Sequence, residues 1–497
     1  MVTRRNITAN YLSAVYLALI NIMFTPIYLN LLGPVQFGIV GFFILLQSLL
    51  GLLDMGASPT LARTAAQAAA SGNQHLLSIF SNLLNSFEKI FASIGIVIVS
   101  IMFLLRDWVL ENWISTSPEH YPMFSSSLGL MSCVVGIRFV NSLYRSSLVG
   151  LEDQVWLAKM DTLFSTLKYC GSVVVLYFIS PNAVYFFCYQ IAITFVELAV
   201  NKARIFKIQP RLIEFDKRFD FKAVKKALPF SAGAAYSSLL LVASTQLDRL
   251  ILSGQLSIDE FGYYVLVSVI SMSIGQISSP VFRAITPRLT ALHAKAARAE
   301  FIDVYREATR LIAVVSLSTV LIVAFFPNEV IYAWTGDQQV SEWGGRILFW
   351  LSIAAGLAIL CDIQYYLQLA TGNLKLHIIG YSIYSVLQSL ALMMAIAYNG
   401  ALGAAIAIVS CRALYLVIWS PIVHKKYLPG IHMVWLSFDV LPIVLTQCAV
   451  AYVLSQTIPP EINQPRETIL AILILNGALV VASGITVNRI IKSVQKI

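Results

Sequence analysis

Gly33-Pro34-Val35-Gln36-Phe37-Gly38 and Ser257-Ile258-Asp259-Glu260-Phe261-Gly262 carry the same Phe-Gly pair 224 residues apart. The first leads into an apolar stretch that ends near Pro59 and Arg63. The second leads into one that ends at Pro280, Arg283 and Pro287. Each is a short turn between two stretches of about 20 apolar residues, the length a helix needs to cross a bilayer. The repeat predicts two lobes of six spans in the same orientation, over 1–201 and 228–423. A basic connector at 202–227 separates them, and 424–497 adds two further spans. Parallel repeats with a cavity between them are a transporter architecture.

Outward from that repeat, the whole chain fits the same reading. Of its 497 residues 58% are hydrophobic and 12% charged, against roughly 45–50% and about 25% in soluble domains. Mean hydropathy is +0.77. So little charge cannot coat a water-soluble particle of this size, which excludes ordinary soluble enzymes. Fourteen spans satisfy the length criterion, from 7–32 to 467–488. The expected fold class is an all-α polytopic membrane protein. The first span is too long and too polar (Asn10, Asn21, Pro26) to be a cleaved signal peptide.

The net charge of +9 invites a nucleic-acid reading, which the positions of the charges remove. With the N-terminus inside, 25 of the 34 Lys and Arg fall in cytoplasmic segments, three in outer loops and six within spans. The excess of basic residues on one side is the positive-inside pattern, so both termini are expected in the cytoplasm. The surplus is a topology signal, and no nucleic acid is expected as a partner. The loops 202–226 and 284–308 read as amphipathic helices lying against anionic lipid. No P-loop, GxSxG or H-E-x-x-H sequence is present. The six cysteines have no metal or disulfide spacing. The chain is therefore expected not to be an enzyme and to use neither cofactor nor metal.

Pro26-Ile27-Tyr28-Leu29-Asn30-Leu31-Leu32-Gly33-Pro34-x-x-Phe37-Gly38, then Leu52-Leu53-Asp54-Met55-Gly56 and Arg63, resemble the opening of polysaccharide (O-antigen) flippases. These belong to the multidrug/oligosaccharidyl-lipid/polysaccharide exporter superfamily, which includes the MATE transporters. Asp248-Arg249-Leu250-Ile251-Leu252-Ser253, Phe261-Gly262-Tyr263-Tyr264 and Leu369-Ala370-Thr371-Gly372-Asn373 extend the resemblance along nearly the whole chain. It implies two six-helix bundles that open alternately to each side of a bacterial inner membrane. The cargo it implies is an undecaprenyl-pyrophosphate-linked oligosaccharide moved outward, in contact with membrane lipids. A polysaccharide polymerase or chain-length protein is the partner class it brings with it. Two other readings stand beside it: a MATE-like efflux antiporter of small molecules, and a membrane-embedded polymerase or ligase.

Charges within the spans carry the functional reading, because each costs about 2.5–3.5 kcal/mol at a helix centre. The cations are Lys89, Arg138, Lys168, Arg249, Arg283 and Arg412, and the acids Asp54, Glu88, Glu197, Asp248 and Asp362. A lipid-linked pyrophosphate needs cations, and guanidinium binds phosphate bidentately at any relevant pH. Arg138, Lys168, Arg283 and Arg412 form the expected path, with Arg249 near the outer end of span 7. Asn141, Gln364, Tyr365, Tyr366 and Tyr384 are available for sugars. Asp248 and Asp362 are candidates for ion coupling. Pro26 and Pro280 are candidate hinges, since each removes a backbone hydrogen bond. Glu197, close to a span end, reads as a charge that snorkels. Asp54 reads as a cap or a partner of Arg63.

Overall fold

A computed structural model describes residues 2–494, apart from 55, 72–73, 115–116 and 210–218. Met55 and most of the basic connector lie outside the described residues. Those described are helical almost throughout, and none forms a strand. The chain divides into two compact units, residues 1–262 and 263–497.

Ten helices are long and apolar enough to cross a membrane. Two of these are hairpins, which reconciles ten with fourteen spans. Helix α1 (Val2–Leu53) leaves helical geometry at Gly33, whose φ of 74° a residue with a side chain rarely adopts. Leu17 and Leu50, on either side of that break, line one cavity, so the chain doubles back there. Helix α12 (Lys375–Tyr427) breaks at Asn399 and Gly400 (φ 52°). Tyr384 and Tyr415, on its two arms, touch with ring centroids 5.4 Å apart. The remaining two spans are α5 (Gln154–Phe178), which is polar along one face, and α7 (Phe221–Leu252).

The first unit holds α1, α2 (Ala57–Ser71), α3 (Gln74–Asn112), α4 (Tyr121–Gly150), α5, α6 (Ala183–Ile208), α7 and the first turn of α8 (Ile258–Ala294). Phe80, Leu84, Phe87 and Phe91 of α3 pack on Phe139, Leu143 and Leu148 of α4 and Leu61 of α2. Asp54 accepts from the Ser58 amide (3.2 Å) and hydroxyl (2.6 Å) and so caps the start of α2. Ile96, Val97, Phe103 and Leu104 of α3 are exposed, as a lipid-facing stripe must be. The two copies of the repeated turn meet in this unit. A Cβ on Gly262 would lie 3.1–3.2 Å from Gly38 N and Cα and from Pro34 O, and one on Gly38 would strike the Ile258 carbonyl.

The second unit comprises α8 beyond its first turn, α9 (Arg298–Phe325), α10 (Pro327–Thr335), α11 (Gln338–Ala370), α12, α13 (Ile431–Val434), α14 (Leu441–Thr457) and α15 (Arg466–Val494). A π-helical stretch, Trp435–Val440, joins α13 to α14. Ile322 and Phe326 pack on Ala451, Leu454, Ile469 and Leu473, so α14 and α15 are part of this unit's core. The segment 284–308 is not a separate surface helix. It is the end of α8 and the start of α9, turned at 295–297 with Ala296 at φ 54°. Likewise α6 runs on to Ile208, and α7 begins at Phe221. Both helices extend past the apolar stretches into the basic sequence that flanks them. Pro26 and Pro280 sit inside α1 and α8; in α1 the backbone breaks at Gly33 instead.

Candidate functional site

In the first unit, α1, α4, α5 and α6 surround a cavity of about 450 Å³, within the range of ligand sites. Its polar wall follows from helical spacing. Arg138, Asn141, Ser142 and Arg145 recur at i, i+3, i+4 and i+7 on α4, and Asp161, Phe164, Ser165 and Lys168 do so on α5. Gln47 enters from the second arm of α1 and Glu197 from α6.

Beside the cavity, toward the Gly33 turn, lies an aromatic cluster. Phe24, Tyr28 and Tyr169 pack together, Tyr28 meets Phe186 edge-on at 5.4 Å, and Phe43 meets Phe187 at 5.2 Å. Next comes Arg138, with its guanidinium 5.4 Å from the Phe43 ring centre. It donates to Gln47 Oε1 and, at 3.3 Å, to Gln190 Oε1. Gln190 in turn donates to Ser172 Oγ at 3.0 Å. Both acceptors of Arg138 are neutral amides, and its Nε has no hydrogen-bond partner. Lys168 pairs with Glu197, which also takes Arg145 Nη1 at 3.3 Å. Arg145 is held most firmly by Asp161, through both terminal nitrogens, one of them at 2.9 Å.

The cavity thus holds three cations and two carboxylates. Buried ions are tolerated when paired. Arg145 and Lys168 are paired; Arg138 makes no ion pair among the described residues. The site therefore presents one guanidinium that closes no ion pair among the described residues, with an open volume beside it, which suits an anion.

The second unit places Arg412 4.6 Å over the Tyr384 ring centre. Asp362, exposed on α11, lies within electrostatic range of Arg412 without closing an ion pair. Rings continue outward from Tyr384 in contact: Tyr381, His377, Tyr365 and Tyr366 on one side, Tyr415 and Trp419 on the other. Phe282 stacks on Tyr366 at 4.2 Å, and Arg283 beside it is exposed. Asp248 and Arg249 are buried in α7, where Arg249 donates to Gln246 at 3.4 Å; neither lines the cavity.

Of the residues singled out from sequence, the structure joins Arg138, Asn141 and Lys168 in one cavity and Arg412, Asp362 and Tyr384 in another neighbourhood. Arg145, Asp161, Glu197 and Gln47 were not in the sequence-derived path. The i, i+7 spacing from Arg138 to Arg145, and from Asp161 to Lys168, is the signal that finds them.

These two units make a polytopic helical membrane protein of transporter fold. The chain superposes on the lipid II flippase MurJ in an inward closed conformation, with a TM-score of 0.70, 14% identity, and 97% and 98% of the two chains covered. It superposes on an inward-facing MATE multidrug transporter of the MOP superfamily with a TM-score of 0.65, 16% identity, and 83% and 94% covered. At these identities the likeness is one of fold. Residues 3–293, more than half the chain, match the polysaccharide biosynthesis protein family, and the chain belongs to that family. A Shigella flexneri protein named for O-antigen transport is 21% identical over 313 residues, 62% of this chain and 70% of that one.

Proposed function

We propose that this protein is a flippase that moves an undecaprenyl-pyrophosphate-linked oligosaccharide from the cytoplasmic to the periplasmic leaflet of a bacterial inner membrane. The observation that carries the reading is Arg138, a cation held by two neutral amides at the edge of an open cavity. A pyrophosphate offers oxygens that a guanidinium binds bidentately, and Lys168 and Arg145 lie along the same wall. Family membership and a relative named for O-antigen transport support the cargo class.

In this reading the basic loops and both termini are cytoplasmic, and the spans of 1–201 and 228–423 rock as two lobes. The close crossing of Gly38 and Gly262 belongs to the state with the periplasmic side shut. Pro26 and Pro280 are the flex points. Arg412, Arg283 and Arg249 would extend the cationic path, and Asp362 or Asp248 would take the coupling ion. A polymerase would receive the glycan outside. The alternative, efflux of small molecules, has the MATE likeness in its favour. Cationic drugs fit poorly in a cavity whose cations outnumber its acids.

The test is surface glycan in cells carrying Arg138→Ala, Lys168→Ala or both. We expect normal amounts of protein in the membrane, loss of surface polysaccharide, and lipid-linked oligosaccharide accumulating on the cytoplasmic leaflet. Undiminished surface polysaccharide in the double variant removes the cavity from the path.

A further inference from the structure

Glu197 is the most enclosed carboxylate of the cavity: its side chain is 7% exposed, against 17% for Asp161. It bridges Lys168 of α5 and Arg145 of α4, and Arg138 of α4 is the next cation within electrostatic range. Asp161 is the other acid on that wall, and the residues α1 contributes, Leu17, Gln47 and Leu50, carry no charge. Lys168 offers Glu197 a single ammonium, whereas Arg145 grips Asp161 through two nitrogens. An incoming anion therefore takes Lys168 from Glu197 more readily than it takes Arg145 from Asp161.

Three cations and two carboxylates give the empty cavity a net charge of +1. A diphosphodiester brings two negative charges, which would turn that to −1 and leave Glu197 buried without its ammonium. A buried carboxylate in that position relieves the cost by taking a proton. We propose that Glu197 is the charge-compensating group of this cavity: it pairs with Lys168 when the cavity is empty, and it accepts a proton from solvent when a diphosphate displaces it. The inference rests on the pyrophosphate reading above. The step forms one O–H bond at a Glu197 carboxyl oxygen, breaks no covalent bond in protein or cargo, and leaves the loaded cavity neutral. Binding and proton uptake are then one event, whatever ion Asp362 or Asp248 handles.

The experiment uses the purified full-length chain in detergent and farnesyl-pyrophosphoryl-N-acetylglucosamine, a diphosphodiester that does not itself titrate near neutral pH. Calorimetric titration in PIPES and in Tris, which differ in ionisation enthalpy, counts protons taken up per ligand bound. For the unaltered protein we expect about one, with affinity falling roughly tenfold per pH unit as pH rises, the linkage of a single proton. In Glu197→Gln we expect binding retained, uptake near zero and an affinity flat in pH; in Asp161→Glu, which keeps the charge of the cavity, uptake retained. Uptake unchanged in Glu197→Gln, or lost in Asp161→Glu alone, overturns the assignment. If Glu197→Gln does not fold, infrared difference spectra of the unaltered protein decide. A protonated-carboxyl band on ligand addition upholds the proposal, and its absence overturns it. No binding of the diphosphodiester to the unaltered protein is a separate result: it defeats the pyrophosphate reading, and this inference falls with it.

Discussion

Buried charge is handled in opposite ways in the two units. In residues 1–262, Arg138, Arg145 and Lys168 border open volume, and Arg138 has no ion-pair partner among the described residues. In residues 263–497, Asp439 is fully enclosed by Arg306 (2.7 and 3.1 Å) and Arg310 (2.7 Å). Next to that knot a second closed network runs from Tyr305 to His424 (2.8 Å) and on to His432 (2.9 Å), with Trp435 packed on both histidines. The first arrangement leaves a cation beside open volume, whereas the second closes its carboxylate between two guanidinium groups and fastens α9 to the α12–α14 turn. A buried charge in a span is thus a functional signal when its partners are neutral and space adjoins it, and a structural one when its partners saturate it.

The largest effect should come from breaking the closed knot. Asp439→Asn removes the carboxylate that Arg306 and Arg310 share, and removing one partner of a buried ion pair costs about 3–5 kcal/mol. We expect a large drop in the thermal midpoint in detergent, with any remaining transport proportional to the folded fraction. If folding is unaffected and transport alone is lost, the knot belongs to the working site and the contrast between the units fails.

Arg138→Ala should do the converse. The loss of one charged hydrogen-bonding group, about 1.5–3 kcal/mol, lowers diphosphate affinity roughly 10- to 100-fold while the thermal midpoint stays put or rises. Arg138→Lys should fall between the two, because an ammonium cannot reproduce the planar fork that reaches Gln47 and Gln190. Equilibrium binding and thermal melts on the same preparations check both parts.

The hydropathy of the sequence was enough to place the spans and to turn the chain at Gly33, where the break occurs. It also brought Arg138 and Lys168 forward, because charges deep in a span stand out against apolar neighbours. It hid Arg145 and Asp161 because they sit where an apolar window ends, although α4 and α5 continue through them as helix. Arg306, Arg310 and Asp439 stand at the same kind of boundary, near the start of α9 and just before α14. Their pairing, across 129 to 133 residues, leaves no local trace. Glu197, close to a span end, reads from sequence as a snorkelling acid; in the structure α4 and α5 bring Arg145 and Lys168 to it.

Arg412 tests whether the contrast extends to the open part of the second unit. Its guanidinium rests on an aromatic face and shares only long-range attraction with Asp362. A cation–π contact is worth about 0.5–2 kcal/mol. Tyr384→Leu should therefore reduce transport by roughly 2- to 30-fold, less than Arg138→Ala. An effect equal to that of Arg138→Ala would make both units equal partners in holding the anion.

The smallest effect should come from Asp54, within the motif shared with the flippases. Its carboxylate receives the Ser58 amide and hydroxyl at the start of α2. Replacing a capping acid with Ala costs about 0.5–2 kcal/mol, and α2 is a short helix held by its own fully buried Leu61 and Ala65. The loss should appear as faster amide exchange in 57–61, with diphosphate affinity unchanged because Asp54 does not line the cavity. Asp54→Asn keeps an acceptor for the Ser58 amide and should recover most of the protection. If Asp54→Ala weakens diphosphate binding as much as Arg138→Ala, a residue saturated by local hydrogen bonds is nonetheless part of the binding machinery. The rule that separates the two kinds of buried charge would then not hold even within the first unit.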